Sequence, residues 1–170
     1  MSFKLFGAVL VLCGCGFVGF SMCASYRREE RQLRQLLGAL DYMACELQYR
    51  VTTLPELCRQ ASIQREGFVK LLLSNLAFEL ESQVTPDAQS CLAMAAARSG
   101  PLSSRMEEAI CILGASLGRF DLQGQLQGLE AVRSYCSTEL KQMADGRENR
   151  LRSYQTLGLC AGAALAILLV

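Results

Sequence analysis

Residues 33–57 read LRQLLGALDYMACELQYRVTTLPEL, and this stretch decides the fold. Leu33, Leu36, Leu37, Leu40, Met43, Ala44, Leu47 and Val51 recur at steps of three and four, which places them on one stripe of an α-helix. A half-buried strand would need apolar residues at every second position, and no such run occurs in the 170 residues. Thr53-Leu54-Pro55-Glu56 has the form of a capping box with proline in the first turn, so a second helix is predicted from there to about Arg65.

The same reading carries on toward the C-terminus. Gly67 breaks the second helix, and Phe68, Leu71, Leu72, Leu76 and Leu80 form the stripe of a third. Thr85-Pro86 predicts the start of a fourth helix, which ends near Ser99-Gly100-Pro101. Ser103 or Ser104 caps a fifth, with Met106, Ile110, Leu113 and Leu117 facing inward and Gly118 at its end. Asp121 can cap a sixth, where Leu122, Leu126, Leu129, Cys136, Leu140 and Met143 follow at roughly heptad spacing. The three prolines all fall at predicted helix starts or joints, as expected of an all-α, antiparallel helical bundle with short connections.

Both ends of the chain are apolar. Residues 5–25 contain no charge, and a helix of that length is ~31 Å long, enough to cross a hydrocarbon core of ~30 Å. Residues 154–170 are also uncharged. We therefore expect a first transmembrane helix at 5–25, a helical-bundle domain at 26–153 and a second transmembrane helix at 154–170. A cleaved leader is the alternative for the first segment. Its length, the lack of an A-x-A site and the arginines that follow at once weigh against it.

Orientation follows from charge. Arg27, Arg28 and Arg31 stand on the domain side of the first segment, and Arg147, Arg150 and Arg152 on the domain side of the second, while Lys4 alone marks the far side. These six arginines are expected to be juxtamembrane anchors, and the positive-inside rule puts the domain in the cytoplasm. Residues 27–34 and 141–152 each carry a net +2, and the part between, 35–140, a net −4. Overall the net charge is +1, which excludes a strongly basic nucleic-acid binder. Gly14 in the first segment and Gly158, Gly162 and Ala166 in the second are candidates for close packing of membrane helices. No charge interrupts either apolar run, which argues against a midplane ion site.

Chemistry is harder to find. There is no His, which removes the commonest general base and metal ligand. Gly114-Ala115-Ser116-Leu117-Gly118 matches the G-x-S-x-G nucleophile elbow, but the elbow needs a preceding strand and a histidine. Read as G-x-x-x-G, and repeated at Gly124 and Gly128, the spacing instead predicts tight helix packing or a helix end. Glu79 and Glu81 fall on different faces of a helix and are expected to be solvated. The nine cysteines form no C-x-x-C, and the five within the domain are an odd number, so they are expected to be free and buried. No catalytic, cofactor or metal site is predicted.

Two stretches carry a resemblance. Leu36-Leu37-Gly38-Ala39-Leu40, Met43, Glu46, Tyr49 and Thr52-Thr53-Leu54-Pro55-Glu56-Leu57 form the first. Leu113-Gly114, Leu117-Gly118, Asp121, Gln125 and Leu129, leading to Arg150, Tyr154 and Leu157-Gly158-Leu159, form the second. Together they resemble the stage III sporulation protein AB family. The chain departs from that pattern at Thr53, where proline is usual, at Arg50, and in 82–101, which lacks the usual tryptophan.

The resemblance implies a non-enzymatic membrane platform subunit of a secretion-like complex, similar to the F component of type II secretion machines. It would act during endospore formation in the mother-cell membrane around the forespore. It also implies as partners the AA-type ATPase and other subunits of the same complex, with self-association left open. Asp121 and Gln125 are the candidate partner-binding residues, although Asp121 also reads as a plain helix cap. A stand-alone membrane-anchored scaffold or regulatory protein without an ATPase is the alternative, and a thiol-dependent enzyme the third reading.

Overall fold

A computed structural model describes the backbone of residues 2–50, 52–82, 87–117 and 122–169, and the side chains of 24–50, 52–82, 87–117 and 122–146. Among the described residues every regular element is a helix, and there is no strand. Six helices follow in order: α1 Ser2–Tyr49, α2 Leu54–Ile63, α3 Gly67–Ser82, α4 Ala88–Ser99, α5 Ser104–Ser116 and α6 Leu122–Leu169. Nothing interrupts the first helix between its apolar start and the 33–47 stripe, and the last runs on through the C-terminal apolar segment. Among the described residues, no helix is long and apolar enough to cross a membrane. The side chains of 5–23 and of 154–170, on which the two spans were expected, lie outside the described residues.

The chain divides into two compact units. One is Glu29–Leu140; the other joins the two ends, Met1–Arg28 and Lys141–Val170. In the first unit α2 packs on α3, α3 on α4, and α4 on α5. Its core takes Leu33, Leu36, Leu40 and Met43 from the decisive stripe, with Leu57, Leu72, Leu76, Leu92, Met106 and Leu113 from the next four helices. Each large apolar side chain removed from water contributes about 1.5–3 kcal/mol, so these rows set the pairing of the helices.

Two stripe residues do not follow the expectation. Leu71 is 52% exposed and Leu122 likewise 52% exposed. Leu71 lies a third of a turn from the buried Leu72, beyond the face that α3 gives to α2 and α4.

The helix ends also show where sequence signals act. Ser103 has extended backbone and its Oγ accepts from the Met106 N–H at 3.4 Å, so α5 is capped as expected. Thr53 occupies the N-cap of α2 but makes no side-chain cap hydrogen bond. The box does not close because Glu56 accepts from Gln60 Nε2 at 2.9 Å and pairs with Arg59 at 3.7 Å instead of folding back. The fourth helix begins at Ala88 with Asp87 at its N-cap, later than the predicted Thr85-Pro86, which lies outside the described residues. Gly67 (φ 60°) and Gly100 (φ 116°) adopt left-handed backbone, which side chains with a Cβ resist.

Candidate functional site

Several charged and hydroxyl side chains of the domain meet across seams between helices. Arg105, in the first turn of α5, reaches two others: its Nε donates to Glu139 Oε2 on α6 at 2.6 Å, and its Nη1 lies 3.3 Å from both oxygens of Glu29 on α1. The hydrogen bond to Glu139 raises the guanidinium further above its already high range. Arg133 on α6 pairs with Asp41 on α1 at 2.9 Å. Tyr135 donates to Glu108 at 2.9 Å, and burial together with that carboxylate pushes its hydroxyl well above the ordinary phenol range. Tyr42 donates to Gln60 at 3.0 Å, which links α1 to α2. Arg65 Nη2 donates to the Gly38 carbonyl at 2.7 Å.

Glu79 corrects the sequence reading. It was expected in water, yet its side chain is 4% exposed and pairs with Arg98 of α4. The cause is its position on α3, where it faces α4 and the exposed Arg98 folds over to meet it. Sequence reasoning also missed Arg105. A cation in the first turn opposes the helix dipole, and that mismatch was the available hint that carboxylates from elsewhere meet it.

The predicted site residues are not brought together. Asp121 lies outside the described residues, and Gln125, in the first turn of α6, is half-buried and already engaged. Arg27, Arg28 and Arg31 are exposed along α1. The side chains of Arg147, Arg150, Arg152, Gly14, Gly158, Gly162 and Ala166 lie outside the described residues. Of the G-x-S-x-G match, Ser116 is buried and its Oγ donates back to the Leu113 carbonyl at 2.9 Å, as a helix-end serine does. The small-residue reading of that stretch accounts for its geometry: Gly114 lies against Gln89 and Leu92 of α4, and Gly128 against Ser116.

Of the five domain cysteines, Cys58, Cys91 and Cys136 are buried and outside any disulfide, as expected, whereas Cys45 and Cys111 are exposed. Burial pushes the Cys58 thiol up to about 12 and Cys136 up to about 11. A nucleophilic thiolate needs the opposite shift. At pH 8, iodoacetamide is therefore expected to label Cys45 and Cys111, leaving Cys58 and Cys136 unmodified until the protein unfolds; peptide mass spectrometry reads this directly. The stability tied to the Cys58 thiol is whole below pH 9, the ordinary value, and is lost as pH rises from 9 toward 12, because the unfolded chain ionises first.

The arrangement defines an all-α protein in which several polar groups hold helices to one another. The family described as Stage III sporulation protein AB matches residues 4–170, and the chain belongs to that family. It is similar to the stage III sporulation protein AB of Bacillus subtilis (strain 168), with 26% identity over 171 residues that cover 98% of this chain and 99% of the relative. A solved structure of a stage III sporulation protein AB (SpoIIIAB) shares the fold, with a TM-score of 0.64 at 20% identity, over 72% of this chain and 98% of that one.

Proposed function

We propose that the chain is a non-enzymatic platform subunit of a membrane complex that acts in endospore formation. Two transmembrane helices, at 5–25 and 154–170, hold the bundle in the cytoplasm, and the bundle contacts an ATPase of the AA type. Membership of the AB family is the observation that carries this reading. It is supported by the unbroken helices α1 and α6, whose sequences pass from polar bundle positions into uncharged apolar ends. The exposed Arg27, Arg28 and Arg31 suit the headgroup region of an anionic leaflet. Asp121 and Gln125 form the contact surface for the ATPase.

The test is capture of the tagged full chain from detergent-solubilised membranes of sporulating cells. The wild type should bring down a secretion-type ATPase, and Asp121→Asn with Gln125→Ala should lose it while remaining folded. Retrieval of the chain from membranes without any ATPase would replace the platform by a stand-alone scaffold. Release of the chain by alkaline carbonate would remove the membrane anchoring itself.

A further inference from the structure

Helix α3 has a face that the bundle leaves uncovered. Lys70, Leu71, Ser74, Phe78 and Glu81 are all exposed, Leu71 by 52% and Phe78 by 62%. At 3.6 residues per turn these five residues form one continuous strip. Ser74 lies along its midline, Lys70 and Glu81 on one flank, and Leu71 and Phe78 on the other. The opposite side of α3 is filled by Val69, Leu72, Leu73 and Leu76, all buried.

The order of residues along the strip is self-complementary. Measured along the helix from the level of Asn75, Lys70 and Glu81 lie about 7.5 and 9 Å to either side, and Leu71 and Phe78 about 6 and 4.5 Å. A two-fold axis at the level of Asn75 and perpendicular to the helix reverses the strip and keeps each flank on its own side. Lys70 of one copy then meets Glu81 of the other, and Leu71 meets Phe78, each pair occurring twice. Within one helix Lys70 and Glu81 are three turns apart, about 16 Å, too far to pair. Glu81 also meets Arg59 of α2, and a carboxylate has acceptor sites for both partners.

We infer that the exposed face of α3, from Lys70 to Glu81, binds the same face of a second copy of this chain in antiparallel orientation. The charge pattern chooses the occupant. An isologous contact requires each patch to complement itself, and this one does so in both its charged and its apolar flank. The small Ser74, one residue from that axis on the midline of the strip, lets the two helices approach to the usual 8–10 Å. Two apolar side chains per copy make a small contact, of the weak class that buries less than about 1,200 Å². It rests on the exposed face alone and is independent of the platform reading.

Crosslinking tests it in the full chain. Starting from a chain in which Cys13, Cys15, Cys23, Cys45, Cys111 and Cys160 are replaced by Ser, so that the buried Cys58, Cys91 and Cys136 remain, one cysteine at a time is added by Ser74→Cys, Lys70→Cys or Glu81→Cys, and membranes are treated with a short bismaleimide. Ser74→Cys should crosslink to itself well above the parent. Lys70→Cys and Glu81→Cys should each stay at the parent's level alone, and crosslink to each other when the two chains are co-expressed. Adding Leu71→Arg to Ser74→Cys should lower its yield about tenfold, the equivalent of about 1.4 kcal/mol. Self-crosslinking of Lys70→Cys, or a Ser74→Cys yield no higher than the parent's, overturns the proposal, whatever the ATPase capture shows.

Discussion

Gly128→Val is expected to destabilise the bundle by about 3 kcal/mol, read as a lower urea midpoint at unchanged slope for the full chain in detergent. A Cβ at position 128 would overlap the Ser116 Cβ and stand 2.5 Å from its Oγ and 3.5 Å from its Cα. A long, flexible neighbour could swing aside, but Ser116 cannot. Its side chain is a single atom beyond Cβ and is bonded to the Leu113 carbonyl, so relief has to come from separating α5 and α6. Overpacking of this kind costs about 1–3 kcal/mol, and a β-branched residue stands at the upper end because its χ1 is fixed within a helix. Gly128→Ala should lose less, since alanine regains about 1 kcal/mol of helix propensity over glycine. Ser116→Gly combined with Gly128→Ala makes the argument specific: the pair should be more stable than the sum of the two single effects, because removing the Ser116 side chain opens the space that the new methyl needs.

The sequence announces this contact by spacing alone. Gly114, Gly118, Gly124 and Gly128 signal close approach, but spacing does not say which helix approaches which, and it is the tertiary fold that sets Gly128 on Ser116 and Gly114 on α4. The same division runs through the molecule. Leu33, Leu36, Leu40 and Met43, and Met106, Ile110, Leu113 and Leu117, are legible because a 3.6-residue period forces those side chains onto one face, and they are buried as that period demands. Leu71 and Glu79 are not legible. Whether a residue at the margin of a stripe is covered depends on how far the neighbouring helix extends over it, so the apolar Leu71 lies in water and the charged Glu79 does not. The capping box at Thr53 failed for a comparable reason, since Gln60 and Arg59 compete for Glu56 from within the same helix. The candidate contact at Asp121 and Gln125 came from resemblance to a family, and Gln125 already has an interaction within the chain.

Arg98→Met is expected to cost about 2–3 kcal/mol, more than an ion pair with an exposed arginine would suggest. Arg98 is 60% exposed, and an ordinary surface pair contributes about 0–1 kcal/mol. The asymmetry of this pair raises the figure: the Glu79 side chain is 4% exposed, so loss of the guanidinium strands a carboxylate between α3 and α4 with little access to water. Removing one partner of a buried pair costs about 3–5 kcal/mol, and the exposed arginine end moderates that toward the lower figure. Glu79→Leu in the Arg98→Met background should recover most of the loss, because leucine fills the site and leaves no charge to be solvated. Glu79→Leu alone should be mild, since Arg98 can turn back into water. A double-mutant cycle on urea midpoints checks all three values, and equal losses for the two single variants would show that the pair behaves as a surface salt bridge. If the cycle has the expected form, α3 is held to α4 by a charge that must stay neutralised, and α3 keeps a fixed orientation while its opposite face remains free to meet another chain.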